Sequence, residues 1–495
     1  MLEFETSAGN TYAWDDNVGL FIPLSPTMHS VIKKIFDQKS LSKESVVEQL
    51  IGNFNKEEIE FCYDWINKWK RLMPDNDKHD VLQNFHTSDI KDYIIKRGLS
   101  QLTLGVTEDC NFRCKYCTYS DFYDQHHGYS STYMNFTTAK KAIDYFFSLL
   151  REGKKYNPIR KSAIGFYGGE PLLNFKLIKE CVEYIKNSNS DINIMYGMTT
   201  NGSLLDEEKA NWLMEHDFVI SISLDGPEEE HDRLRVYDNG KGTFKDIMKN
   251  INPIMASGYK KIFSLPVYDW KSDLFKREDF FNRTDVPDVL RASLVNDLGG
   301  CRYYDQFTID DRNNYLKQIE IARDFYFKDT YYQTKRDKTS FFDRLVGKGP
   351  GDDIFRGVSI YLPPSIMPVT NSCLPGRKIF VDVRGDFHIC EKVNDTFPIG
   401  NVDEGLNFKK ICDLLKDYFR HMDKCSECKV TRKCGQCFRM FMTDNGFLCS
   451  SDVCKKIEAI RKASFARSLS IAEQNPEFVD CKNYRYANIK KHYGD

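Results

Sequence analysis

The sequence lacks several features that would have assigned it early. No apolar run approaches the ~20 residues that a membrane-spanning helix needs, so a membrane protein is not expected. The opening residues, MLEFETSAG, carry no basic segment followed by an apolar one, which predicts a cytoplasmic protein, not a secreted one. Basic residues are scattered and the formal net charge is only -2, so the electrostatic footprint of a nucleic-acid binder is missing and no nucleic-acid partner is expected. Low-complexity tracts and fixed-period repeats are absent too. What the chain does have is cysteine, 16 of them in 495 residues. A reducing cytosol disfavours a disulfide framework, so metal or cluster ligation is the stronger explanation.

The placement of the thiols supports this. Three lie in CNFRCKYC, at Cys110, Cys114 and Cys117, and eight, leaving Cys412 aside, lie between residues 373 and 454. Cys62, Cys181, Cys301, Cys412 and Cys481 stand alone and read as plain buried thiols. Partners at both +4 and +7 would arise by chance only about 0.02 times over the sixteen starts. Two chemistries fit three local thiolates. A zinc site would need a fourth ligand, for which His126 and His127 are the nearby candidates. A cubane iron-sulfur cluster could instead use three cysteines and keep one iron open for substrate or cofactor.

A chain of this length should fold as several modules. Residues 1–75 read as three short strands (LEFETSA, TYAWDD, VGLFIPLS) and three helices, the second and third preceded by caps at Ser42 and Asn55. Together they make a winged-helix-like unit. Residues 76–99 are polar and read as a linker. From residue 100 to 308, apolar strands alternate with amphipathic helices: QLTLGV, SAIGFY, INIMYGMTT, FVISISL, KIFSLPVY and DVLRASLV. Alternation of this kind predicts an α/β fold with right-handed crossovers and a parallel sheet or barrel. Residues 309–365 form a charged helical bridging region, 366–460 a cysteine-rich domain, and 461–495 a tail.

Four motifs follow successive strands: Cys110 after the first, GGE at 168–170 after the second, TTNG at 199–202 after the third, and LDG at 224–226 after the fourth. Those are the strand ends where barrels and open sheets build active sites. CxxxCxxC with an aromatic before the third cysteine, then YGGEP, TTNG and SLDGP with HDRLR, resembles the radical S-adenosylmethionine (SAM) enzymes, in particular members carrying an auxiliary-cluster domain called SPASM. The resemblance covers roughly residues 100–455. It implies a partial (β/α)6 TIM-like barrel, with Cys110, Cys114 and Cys117 holding a 4Fe-4S cluster whose open iron is chelated by S-adenosylmethionine. It places Tyr116 by the adenine, and Gly168, Gly169 and Glu170 at the methionine amino group. Thr200, Asn201, Ser223 and Asp225 are assigned to the ribose and methionine ends. His231 and Arg235 are either cofactor contacts or a structural ion pair with Asp225 or Asp232.

In the C-terminal region, Cys373 and Cys390 flank a hairpin pattern, KIFVDV and DFHIC, and CSECKVTRKCGQC supplies Cys425, Cys428, Cys434 and Cys437 before Cys449 and Cys454. Paired CxxC units are a strong metal signal, and bare spacing also allows zinc. The order resembles SPASM, which implies two auxiliary 4Fe-4S clusters: Cys373, Cys390 and Cys437 for the first, and Cys425, Cys428, Cys434 and Cys454 for the second. Cys449 is a further candidate for either.

The front unit resembles, by topology, the peptide-recognition domain fused to enzymes that modify ribosomally made peptides. Phe21, Ile22, Leu24, Ile32 and Phe36 are the expected groove for an extended peptide; a solubilising or dimerising appendage is the alternative. Together these readings predict a peptide maturase acting on a precursor peptide with a leader sequence. Its electrons would come from a donor such as flavodoxin or ferredoxin. The expected product is a thioether from cysteine sulfur to carbon. Alternatives are a carbon-carbon cross-link, sulfatase-type oxidation of Cys or Ser to an aldehyde, and a non-enzymatic zinc scaffold.

Overall fold

The structure is a computed structural model, and it describes residues 1–16, 19–37, 41–70, 85–123, 128–188, 191–295, 301–328, 338–347, 375–392, 397–421, 423–425, 427–434, 442–443, 446–447 and 451–474. The front unit begins with an antiparallel sheet of β1 (Leu2–Glu5), β2 (Thr11–Asp15) and β3 (Leu20–Pro23). Gly9, at φ 82°, makes the turn between the first two strands, a conformation that glycine adopts without strain. Helices Pro26–Asp37, Lys43–Leu50 and Lys56–Lys70 follow. Both expected caps are present: Ser42 Oγ accepts from Ser45 N at 3.2 Å and Asn55 Oδ1 from Glu57 N at 2.8 Å.

The expected peptide groove is corrected by the packing. Ile22, Leu24 and Ile32 are buried in the unit's own core with Val31, Val46 and Ile59. Phe21 stacks edge-on against Phe465 at 5.1 Å. The side chain of Phe36 lies outside the described set.

The central sheet has the order β10-β8-β7-β6-β5-β4-β12-β13-β14-β15. Its parallel barrel strands are β4 (Gln101–Thr107), β5 (Ser162–Gly168), β6 (Ile194–Thr200), β7 (Val219–Ile222), β8 (Ile262–Ser264) and β10 (Asp288–Val289). These are the six segments expected from the apolar pattern. Short strands β9 (Val267–Tyr268) and β11 (Ser293–Leu294) continue the last two in a separate parallel pair. The crossover helices bury apolar stripes on the outer face of the sheet. In Phe136–Lys154, capped by Asn135, the buried set Ala139, Ala142, Ile143, Phe146, Phe147 and Leu150 recurs at i, i+3 and i+4. Each large member contributes roughly 1.5–3 kcal/mol.

The cysteine-rich region is continuous with this sheet. β12 (Lys378–Val381) pairs in parallel with β4, Lys378 opposite Gln101, and turns back into β13 (Asp386–His388), as the hairpin pattern predicts. β14 (Gly400–Asn401) and β15 (Gly405–Leu406) complete the edge. A separate hairpin joins β16 (Met442–Thr443) to β17 (Gly446–Phe447).

Two expected boundaries move. In the linker at 76–99, helix Thr87–Tyr93 and the π-turn Ile94–Gly98 bury Ile90, Ile94, Ile95 and Leu99 in the barrel core, so residues from 85 onward belong to the barrel. Helix Ser451–Gln474 runs unbroken across the expected break at 460/461, because Phe465, Ser468 and Ser470 are buried against the front unit. The bridging region contains helices Ile309–Lys328 and Phe341–Leu345.

Candidate active site

One cavity of about 470 Å³ occupies the barrel lumen. Barrel interiors are normally filled by layers of branched side chains. Here Thr103, Gly165, Gly197 and Ser221 line the lumen and leave it hollow. On β5, Ile164 and Phe166 pack outward into the core while Ala163, Gly165 and Tyr167 alternate with them. The cavity reaches from Gln101 and Lys378, at the first residues of their strands, to the loops at the opposite ends.

At that loop end the cavity is lined by Cys110, Cys114, Cys117, Tyr116, Gly168, Gly169, Thr200, Asn201 and Ser223. The cysteine loop is clipped in place by Arg113 N to Val236 O at 2.8 Å and Lys115 N to Leu234 O at 2.9 Å. Phe112 N donates to Cys110 Sγ at 3.4 Å, and Arg235 Nη1 lies 3.9 Å from Cys114 Sγ. Gly169 N bonds Thr107 O at 2.9 Å and Glu170 N bonds Asp109 O at 2.8 Å, so the GGE segment lies directly on the start of this loop. A Cβ at Gly168 would strike the Thr107 carbonyl, and one at Gly169 the Asp109 carbonyl.

Glu170 and Asp225 stand behind the cavity wall. Glu170 is wholly buried, its Oε1 accepting from Thr200 Oγ1 at 2.6 Å and Leu172 N at 3.1 Å, and its Oε2 from Asn201 N at 2.7 Å. Burial pushes its carboxyl up to about 7 against the pull of these bonds. The Asn201 amide is likewise engaged, donating to Asn111 Oδ1 at 2.8 Å and accepting from Ser203. Asp225 forms a buried two-pronged pair with Arg235, Oδ2 to Nε at 2.9 Å and Oδ1 to Nη2 at 3.0 Å. It also accepts from Tyr116 Oη at 3.0 Å and Val267 N at 2.9 Å. Despite burial, Arg235 holds the Asp225 carboxyl below its ordinary value.

The open question over HDRLR is thereby answered. Arg235 pairs with Asp225 and also reaches the cavity, its guanidinium 5.2 Å from the Tyr116 ring centroid. His231 is structural: Nδ1 accepts from Asp225 N at 3.2 Å, Nε2 faces Thr243 Oγ1 at 2.9 Å, and burial lowers the imidazole to about 3. Sequence reasoning missed Tyr167 and Arg291 as cavity residues. Strand alternation could have found Tyr167, two positions from Gly165; Arg291 sits inside the DVLRASLV segment, between β10 and β11, where nothing local marks it as facing the cavity.

In the C-terminal region, Cys390 follows β13 and accepts from Lys392 N at 3.4 Å. Cys425 and Cys428 lie in one tight turn, with Cys428 N to Cys425 O at 3.3 Å and Val430 N to Cys428 Sγ at 3.5 Å. Cys434 follows a further turn and Cys454 lies on helix Ser451–Gln474; burial raises the Cys428 thiol, with Asp16 and Cys454 adding to it. Cys373, Cys437 and Cys449 lie outside the described residues, as do His126, His127 and Cys481. Cys62, Cys181 and Cys412 are buried as expected, whereas Cys301 is half-buried.

Among the described residues no three His, Cys, Asp or Glu side chains gather tightly enough for one metal ion. Cys110, Cys114 and Cys117 are all free thiols on one cavity wall, beside a glycine cradle that any Cβ would fill. The donor set suits an iron-sulfur cluster, and the cavity falls in the 300–1,000 Å³ range of small-molecule sites.

Fold and site define a radical S-adenosylmethionine enzyme. Residues 104–269, about a third of the chain, match the model of the Radical SAM superfamily, and S-adenosylmethionine and 4Fe-4S clusters are the cofactors that go with this match. An uncharacterised protein of Methanocaldococcus jannaschii is 39% identical over 154 residues, 31% of this chain and 48% of its own, so the match spans about half of that relative. The cysteine-type anaerobic sulfatase-maturating enzyme of Clostridium novyi is 24% identical over 347 residues, covering 67% of this chain and 85% of that protein. The solved structure of native anSMEcpe with bound AdoMet and Cp18Cys peptide superposes with a TM-score of 0.56 at 21% identity, covering 76% of this chain and 99% of that one. No helix among the described residues is long and apolar enough to cross a membrane.

Proposed function

We propose that this protein is a radical peptide maturase that forms a thioether between a cysteine sulfur and a carbon of a precursor peptide. The observation that carries the reading is the hollow lumen: the three-cysteine loop lines it, and so do Glu391 and Lys392, next in sequence to Cys390, after a hairpin hydrogen-bonded into the same sheet, so a substrate in the lumen would lie near both cysteine regions. When bound, the cluster and S-adenosylmethionine would supply a hydrogen-abstracting adenosyl radical, with auxiliary clusters as the electron sink. Cys110, Cys114 and Cys117 would hold the first cluster. Cys390 with Cys373 and Cys437 would serve one auxiliary cluster, and Cys425, Cys428, Cys434 and Cys454 the other, with Cys449 available to either.

The remaining residues position and exclude. Gly168 and Gly169 let a ligand approach the backbone, and Tyr116, Thr200, Asn201 and Ser223 line its berth. Glu170 and Asp225 would act through others: Glu170 ties the β5 end to β6, and Asp225 aims Tyr116 and Arg235. Forming a carbon-sulfur bond removes a hydrogen atom from carbon, and a proton and an electron from the thiol. The front unit would hold a leader peptide at the backbone edge of β3, since its apolar side chains are already packed. A one-electron donor such as flavodoxin or ferredoxin would supply reducing equivalents.

A second reading, oxidation of a protein cysteine to an aldehyde, is favoured by the similarity to the cysteine-type sulfatase-maturating enzyme. Both readings are tested by anaerobic incubation of the reconstituted enzyme with S-adenosylmethionine, a reductant and a cysteine-containing peptide encoded beside it. Loss of two hydrogens per link, with matching loss of alkylatable thiol, is expected. A hydrazide-reactive aldehyde would establish the second reading. Formation of 5'-deoxyadenosine by the triple variant Cys110→Ala, Cys114→Ala, Cys117→Ala would overturn both.

A further inference from the structure

The lumen holds polar groups that the cofactor site does not use. Beyond the glycine cradle it is lined by Tyr167, Arg291, Lys378, Glu391 and Lys392. Within this set the Glu391 carboxylate is already balanced, accepting from Lys378 Nζ at 2.5 Å. Nearer the cysteines, Arg235 is balanced by Asp225 at 2.9 Å. Arg291 has no such partner among the described residues. Among the described residues neither its guanidinium nor the Tyr167 phenol forms a hydrogen bond, although both line the cavity.

Their positions are set by the backbone. Tyr167 is the last residue of β5 before the glycine cradle. Arg291 sits between β10 and β11, held on both sides by Leu290 N to Ser264 O and Ser293 N to Pro266 O, each 3.0 Å. Both side chains line the one cavity, whose lining also includes Cys117 of the cysteine loop and Glu391 of the residues that follow the β13 hairpin. A phenol O–H and a guanidinium directed into one space offer donors with no acceptor. A carboxylate is the complement, since arginine binds it through parallel charge-assisted bonds and a phenol can donate to its remaining lone pair.

We propose that Tyr167 and Arg291 form a carboxylate subsite in the lumen, which selects peptides bearing an acidic group beside the residue that reacts. This rests on the peptide-maturase reading and deepens it. The carboxylate is either an aspartate or glutamate side chain or a free peptide C-terminus. Lys392 lies along the same wall and adds positive potential. Glu391 opposes it, and its pairing with Lys378 limits that repulsion.

The test is binding, read separately from turnover. The full chain, with its clusters reconstituted, is titrated calorimetrically with three probes at low ionic strength. They are a capped heptapeptide with one cysteine and a neighbouring aspartate, its asparagine counterpart, and the asparagine peptide with a free C-terminus. The aspartate peptide should bind roughly tenfold more tightly than the capped asparagine peptide, as expected for charge-assisted hydrogen bonds, and the margin should shrink with salt. Tighter binding of the free-C-terminus peptide instead would assign the subsite to a terminal carboxylate. In Arg291→Gln the preference should vanish, in Tyr167→Phe it should fall severalfold, and Arg291→Lys should keep part of it, with melting temperatures confirming that each variant is folded. Equal binding of all three probes, or binding of none, overturns the subsite. Thioether or aldehyde formation without any carboxylate preference would sink this proposal and leave the maturase reading standing. Absence of 5'-deoxyadenosine would overturn the maturase reading, and a carboxylate preference in binding would then describe a peptide site only.

Discussion

At the scale of single residues, the site depends on close backbone approaches and on buried groups behind its wall. Gly169 lies so close to the Asp109 carbonyl that any side chain must push the cysteine loop away. Gly169→Ala should therefore lower S-adenosylmethionine cleavage by about 100-fold, because roughly 1 Å of misplacement costs that much; a 5'-deoxyadenosine assay checks it. His231 makes a different prediction. Its imidazole falls from 6.5 to about 3 on folding, so between those values the unfolded chain binds more protons than the folded one. Its stabilising contribution is complete above pH 6.5 and is lost as the pH falls towards 3. Urea midpoints measured from pH 7.5 down to 5 should drop in the wild type and drop less in His231→Gln. The cysteine triplet was legible in the sequence because ligand spacing is local. The partners of Asp225 were not, since Val267 lies 42 residues away and Tyr116 109.

At the scale of elements, the hairpin of β12 and β13 is the hinge of the design. Asp382 Oδ1 accepts from Arg384 N, Gly385 N and Asp386 N at 2.9, 2.9 and 3.0 Å, and Gly385 takes φ 97° to close the turn. Such a φ strains any other residue, and a Cβ there would meet Val402 Cγ2 at 2.8 Å. Gly385→Ala should cost about 1–3 kcal/mol and lower the iron content of the auxiliary sites; thermal melts and iron analysis would measure both. This hairpin was readable from its alternation and its glycine. Its parallel pairing with β4 was not, because pattern and turn chemistry specify local neighbours only. The six barrel strands were equally legible, and what escaped was the emptiness of their interior. Small residues at Gly165 and Gly197 look like ordinary weak strand positions until the opposite wall is known.

Over the whole molecule, the front unit is mounted on the cysteine-rich region. Phe4, Trp14 and Phe21 surround Phe465 at 5.9, 5.3 and 5.1 Å, Val430 of the Cys428 turn joins the same apolar cluster, and Lys433 lies 5.3 Å over the Trp14 ring. Ser7 N to Ser470 Oγ at 2.9 Å and Tyr12 Oη to Glu473 at 2.8 Å pin the edges. Phe465→Ala should cost about 3–5 kcal/mol and loosen the front unit, read as faster hydrogen exchange in residues 1–16. Removing residues 1–75 should do more than weaken peptide binding, because it uncovers Phe465 and Val430; a lower melting temperature and aggregation are the expected result. The front unit's own folding was legible from capped, amphipathic segments. Its docking was not, since Phe465 lies within a helix whose sequence has little apolar periodicity.

By itself the sequence determined which chemical groups stand at the strand ends. Thiolate spacing, the glycine pair and the order of motifs along alternating strands are local properties, and each was found where the pattern placed it. Tertiary structure alone decided which of those groups face the cavity. Glu170 and Asp225 turned inward to hold the wall, and Arg235 came to the surface of the lumen. Tyr167 and Arg291 were left there without partners among the described residues. A buried charge takes whichever partner the fold brings within about 3 Å, and that distance is set by packing across the barrel, not by separation along the chain.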